Sequence, residues 1–162
     1  MEFTSTRGRA PNAGIARALQ AGLAPDGGLY VPLALPRFDP EAFDPATSLP
    51  ELATHILAPF FEGSPLAERL DPICRDALDL PLPLEAMDGN APAWLLELFH
   101  GPTAAFKDFA ARFLARCLGA LKAGSAGEQT VLVATSGDTG AAVAAAFHRQ
   151  PGFRVVILYP EG

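Results

Sequence analysis

Of the two lysines in this 162-residue chain, Lys107 stands where it could do covalent chemistry. It lies in the segment His100-Gly-Pro-Thr-Ala-Ala-Phe-Lys-Asp-Phe109, between two phenylalanines and at the expected start of an amphipathic helix. A lysine amine attacks a carbonyl to form a Schiff base only when it is uncharged. Desolvation by Phe106 and Phe109 and the positive end of a helix would both favour that state. The same residues also describe a surface lysine in a first helical turn, its stem lying over two core phenylalanines.

A second segment, Thr130-Val-Leu-Val-Ala-Thr-Ser-Gly-Asp-Thr-Gly140, runs into the alanine-rich stretch 141–147. Its first half reads as a strand buried on both faces of a parallel sheet, its second as a helix. Ser136, Gly137, Asp138 and Thr139 fall at the junction, where unpaired amides and the helix dipole favour an anion. Hydroxyls would add donors, and Gly137 and Gly140 would let a ligand approach closely. An ordinary Ser/Thr/Asp helix cap has the same composition.

The elements that must position these residues follow from the chain's punctuation. Residues 13–22 predict a short helix stopped by Gly22, then a Pro25–Gly28 turn and a brief strand at 29–31. Residues 32–50, rich in proline and aspartate, predict an irregular wrap anchored by Phe38 and Phe43. Leu52, Ile56 and Phe60 are four apart and predict a helix over 51–61; residues 65–78 predict another, with a kink at Pro72. Pro81–Leu84 and Asp88–Pro92 bracket a change from a mostly helical N-terminal region, 1–83, to a domain beginning at 84. There 93–99 reads as a strand, and Phe109, Phe113, Leu114, Cys117, Leu118 and Leu121 give the following helix an apolar face. A strand at 153–160 completes a βαβ unit, with a right-handed crossover expected. Both candidate loops follow strands, which should bring them to one sheet edge.

Phe-Lys-Asp-Phe and Thr-Ser-Gly-Asp-Thr-Gly, in this order and spacing, resemble the fold-type II pyridoxal-phosphate (PLP) enzymes, and among them the threonine synthase family. Ser5-Thr-Arg-Gly8 and the segment 22–32 resemble that family's N-terminal region. The resemblance implies an α/β fold, with a helical N-terminal region (1–83) followed by the start of a parallel-sheet PLP-enzyme core (84–162). It implies that Lys107 carries PLP and acts as acid and base. Thr135, Ser136, Gly137 and Thr139 would bind the substrate carboxylate, and Asp138, where related enzymes usually carry asparagine, would face the cofactor's phenolic oxygen. The implied reaction converts O-phospho-L-homoserine and water to L-threonine and phosphate, the last step of threonine biosynthesis. A related PLP-dependent lyase or dehydratase, or a non-catalytic phosphate-binding module, shares these motifs. The family's chains are much longer, so 1–162 reads as an N-terminal part, inactive by itself and lacking the ligands for the cofactor's phosphate and pyridine nitrogen.

Other residues offer less. His100 is as well explained by backbone hydrogen bonds as by a ligand, His55 and His148 read as structural, and Arg7 reads as a surface arginine within possible reach of a substrate phosphate. Asp108, next to Lys107, could tune the amine, yet an acid in a first helical turn is favoured through the dipole alone. Cys74 and Cys117 make neither a disulfide framework nor a metal site. With 49% hydrophobic residues, 19% charged ones and a net charge of -6, the composition is that of a globular chain without the basic patch nucleic acid requires. No run approaches the roughly 20 apolar residues of a membrane span and no signal pattern opens the chain, so a cytoplasmic protein is expected.

Overall fold

Alternation at the N-terminus builds an element the sequence pattern left unassigned. In the computed structural model, which describes residues 1–89 and 91–161, Phe3 and Ser5 point inward from strand β1 (Glu2–Ser5). β1 is the centre of an antiparallel sheet, between β2 (Ala13–Gly14) and β3 (Tyr30–Pro32). Phe3 faces both Ala13 and Pro32 across it. Helix α1 (Ile15–Ala21) ends as expected at Gly22, which takes φ +69° and donates its N–H to Ala18 O at 3.0 Å.

Helix α2 (Leu49–Phe61) starts where the amide and hydroxyl of Ser48 both donate to the Glu51 carboxylate. The helix expected over 65–78 is instead a 3₁₀ turn, Ala67–Arg69, followed by α3 (Leu70–Ala77). Pro72 therefore stands in the first turn of α3, where an amide has no intrahelical acceptor to lose, and the expected kink does not arise. Phe38 and Phe43 anchor the irregular wrap as expected, both packing on His55 of α2.

The hairpin β4 (Leu84–Met87) and β5 (Ala93–Leu96) is antiparallel and shorter than the expected 93–99 strand. Asn90, in the expected Asp88–Pro92 boundary turn, lies outside the described residues, as does Gly162. Helix α4 (Lys107–Lys122) is the structural hub. Phe113 meets Phe61 edge-on at 5.9 Å, and Cys117 joins Leu70, Ile73, Cys74 and Ala77 in one core. Arg112 fastens the two helices by donating to Ala77 O at 2.7 Å and Asp76 O at 2.8 Å, carbonyls that the end of α3 leaves open.

The other face of α4 presents Ala111, Ala115 and Leu118 to Ala142, Ala146 and Phe147 of α5 (Asp138–Phe147). Small residues at these positions let the helices approach closely. α5 connects β6 (Gln129–Ala134) to β7 (Phe153–Leu158), which pair in parallel, Val131 opposite Val155 and Ala134 opposite Leu158. The parallel βαβ unit is as expected. Among the described residues one face of this sheet is covered: Val131, Phe153 and Val155 pack under the helices, whereas Leu132 is 64% exposed on the opposite face.

Candidate active site

Lys107 is the first residue of α4, one position nearer the helix start than a generic first turn requires. The side chain is half-buried, and its Nζ lies 4.3 Å from the centre of the Phe106 ring. The desolvating pair expected from the sequence is only half realised. Phe106 is 59% exposed, while Phe109 turns away into the core around Phe61. Among the described residues the amine makes no ion pair, and the carboxylate beside it in sequence is engaged elsewhere.

That carboxylate, Asp108, is fully buried. Its Oδ2 accepts from the Thr103 amide at 2.9 Å and its Oδ1 from the Thr103 hydroxyl at 2.7 Å. A first-turn acid explained by the helix dipole alone would be solvated, so the sequence expectation missed the contact with Thr103. Gly101 and Thr103, both in the motif, were its only signal.

At the second loop the side-chain cap offered as the plain alternative is absent. Gly137 occupies the N-cap of α5 and no side chain caps the helix, which leaves its first amides open to a ligand. The Thr135 hydroxyl accepts from the Gly137 amide at 3.3 Å. A Cβ at Gly137 would meet nothing within 4 Å, in keeping with an open approach. Gly140 has another role than the one expected. A Cβ there would come within 2.7 Å of Thr135 Cγ2 and 3.2 Å of Ile157 Cγ2, so this glycine seats α5 on the strand ends. Thr135 and Ser136 line a groove there with Ala134, Leu158, Tyr159 and Pro160.

The structure brings the two candidate loops to the same end of a helix pair. Arg116 of α4 reaches Ala146 O and the Gln150 side chain, and Ala111 and Ala115 share a core with Ala142 and Ala146. Contacts thus advance together along both chains, so α4 and α5 run side by side in one direction. Their first residues, Lys107 and Asp138, consequently lie at the same end, with Thr135–Gly137 beside them. Among the described residues β5 and β6, which lead to these loops, pair within separate two-stranded sheets, and the packing of α4 on α5 brings the loops to one end.

The remaining candidates are accounted for locally. His100 is held by the Glu97 carboxylate at 2.6 Å and stacks near Phe99, a side-chain partner where backbone groups were expected. Arg7 donates to Asp26 O at 3.0 Å. Both cysteines are buried and unpaired.

Comparison with known proteins places this geometry. The family described as pyridoxal-phosphate dependent enzyme matches residues 79–162, which hold both loops, and the chain belongs to that family. Residues 2–78 match the family described as threonine synthase N terminus. The chain is 43% identical over 169 aligned positions to the threonine synthase of Pseudomonas aeruginosa, covering 99% of this chain and 35% of that protein. It is 43% identical to the threonine synthase of Haemophilus influenzae, over 90% of this chain and 33% of that one. The PLP-bound threonine synthase structure from Brucella melitensis superposes with a TM-score of 0.88 at 41% identity, covering all of this chain and 36% of that one. Within its family the chain is thus similar to the N-terminal part of the threonine synthases, and it spans about a third of the length of the relatives it matches.

Proposed function

We propose that the protein is a cytoplasmic threonine synthase, a PLP-dependent carbon–oxygen lyase converting O-phospho-L-homoserine and water to L-threonine and phosphate. Residues 1–83 would form its N-terminal region and 84–162 the first part of its catalytic domain. The observation carrying this reading is the placement of Lys107 and the uncapped Thr135–Thr139 loop at one end of the α4–α5 pair, in a chain of the PLP-dependent family.

The residues fit the cofactor. Lys107 offers an amine outside any ion pair among the described residues, and the first turn of α5 offers amides without a side-chain cap. Lys107 would hold PLP through its amine, and Asp138 would face the phenolic oxygen. Bound there, PLP would supply an electron sink at the substrate's Cα. The chain's own residues supply the rest. Thr135, Ser136, Gly137 and Thr139 bind the substrate carboxylate with amides, hydroxyls and the dipole of α5, and so fix the direction of the Cα–H bond. Freed once the substrate's own amine takes its place, Lys107 would take the proton from Cα and return protons later in the cycle, as base and then acid.

The test is borohydride treatment of the full-length protein loaded with PLP, followed by peptide mapping and product analysis with phosphohomoserine. The label is expected on Lys107, with threonine and phosphate appearing in equal amounts. Label on Lys122 or another lysine, or a keto acid in place of threonine, would overturn the reading.

A further inference from the structure

We propose that Asp108 is a positioning residue for Lys107: its buried carboxylate pins the Gly101–Ala105 loop and so sets the direction in which the first residue of α4 leaves the backbone. The proposal rests on the reading of Lys107 as the cofactor-bearing amine, and it begins from a helix end without an ordinary cap. The N-cap position is Phe106, in αR backbone conformation and with no side-chain hydrogen bond to the first turn. Such an end is loosely defined unless something else fixes the entering chain. Asp108 does so from inside the helix. One oxygen takes the Thr103 amide, the other the Thr103 hydroxyl, and the residue has no exposed surface.

A carboxylate is costly to bury, and among the described residues no cation pairs with this one; two charge-assisted hydrogen bonds compensate it instead. The loop is shaped to permit this. A Cβ on Gly101 would lie 2.9 Å from the Asp108 carboxyl carbon, so only glycine fits there. Ala104 is held at φ +53°, a left-handed conformation an alanine adopts only when its surroundings impose it, and its amide closes a turn to Gly101 O at 3.1 Å. Strain, a glycine and a buried acid converge within residues 101–108, and their common result is the geometry of Lys107. The same contacts also keep Asp108 from pairing with the lysine amine, which faces Phe106.

The test compares Asp108→Ala, Asp108→Asn, Thr103→Val and Thr103→Ser in the full-length holoenzyme, assayed by phosphate release from phosphohomoserine and normalised to the borohydride-fixed label on Lys107. A displacement of about 1 Å at a reacting group costs on the order of 100-fold in rate. Asp108→Ala is therefore expected to lower kcat per labelled site roughly 10- to 100-fold, with KM within about threefold of wild type. Asp108→Asn can keep both contacts if the Thr103 hydroxyl reverses, and should recover most of the loss; Thr103→Ser should likewise behave as wild type where Thr103→Val does not. If Asp108→Ala does not fold, the Thr103 pair decides. Wild-type kcat per labelled site in Asp108→Ala and Thr103→Val, or a loss explained wholly by fewer labelled sites, would overturn the proposal. Label on a lysine other than Lys107 in the wild-type protein would instead remove the reading on which it rests.

Discussion

Asp26 shows how a few polar residues can knit distant parts of the N-terminal region. Its Oδ1 accepts from the Ser5 hydroxyl at 2.7 Å and the Gly28 amide at 3.0 Å, and its Oδ2 from the Arg9 amide at 3.0 Å. The Ser5 hydrogen bond, then the Gly28 and Arg9 amides, lower its carboxyl from 3.8 to about 2. A folded-state value below the unfolded one means stability that is present above the unfolded pKa and is lost as pH falls through the folded one. The stability advantage of wild type over Asp26→Asn is therefore expected to hold at about pH 6 and to shrink between about pH 4 and about pH 2. Denaturant titration of both forms at several pH values checks this, and a constant gap would show that the carboxylate is not what ties β1 to the turn. Asp26 was not legible in the sequence as a partner because folding brings Ser5 and Arg9 to it, and Asp108 was not because only the conformation of the loop turns the nearby Thr103 onto its carboxylate. Lys107 and the Thr135–Thr139 loop were legible because their surroundings are local: a strand, a junction and a helix contiguous in the chain.

At the scale of elements, helices were easier to read than strands. Apolar residues at helical spacing mark α2 and α4 over several turns, although the face α2 buries runs through Leu49, Ala53, Leu57 and Phe61 and leaves the expected Ile56 exposed; β1 offers only four residues, with a single apolar side chain inward. The partition of residues 65–78 escaped because a proline in a first turn and a proline inside a helix look alike until the start is known. Burial of β6 on both faces was inferred from its apolar run; among the described residues the face under α4 and α5 is the covered one. Gly140 belongs here, since its role is the contact between elements. Alanine at this position gains up to about 1 kcal/mol of helix propensity, yet its methyl would need Thr135, Ile157 or α5 itself to move. Overpacking of this kind costs about 1–3 kcal/mol, so it outweighs the gain. Gly140→Ala is expected to be destabilising by up to about 2 kcal/mol and to raise KM for phosphohomoserine, because Thr135 can yield only by disturbing its bond to the Gly137 amide. An unchanged melting temperature together with an unchanged KM would mean that the helix can lift without cost to the loop.

The N-terminal region and α4 share one core, so the molecule's two sequence regions should not behave as independent units. Cys74 of α3 and Cys117 of α4 lie in the same cluster with no exposed surface. Burial pushes the Cys117 thiol up to about 12, with the neighbouring Cys74 adding to it, and burial raises Cys74 as well. Since the thiolate is the reactive form, both groups are inert while the core is closed. Arg112, bonded to two carbonyls at the end of α3, and the edge-on Phe61–Phe113 pair oppose separation of the helices. An opening that frees one cysteine therefore has to open the surface that covers the other. In the full-length protein, alkylation at mildly alkaline pH followed by peptide mapping is expected to show both cysteines protected. They should then label with a common rate that rises together with added denaturant, as residues of one cooperative unit do. Cys74 labelling well before Cys117 would mean that the N-terminal region opens by itself, and that α4 keeps Lys107 in place without support from α3.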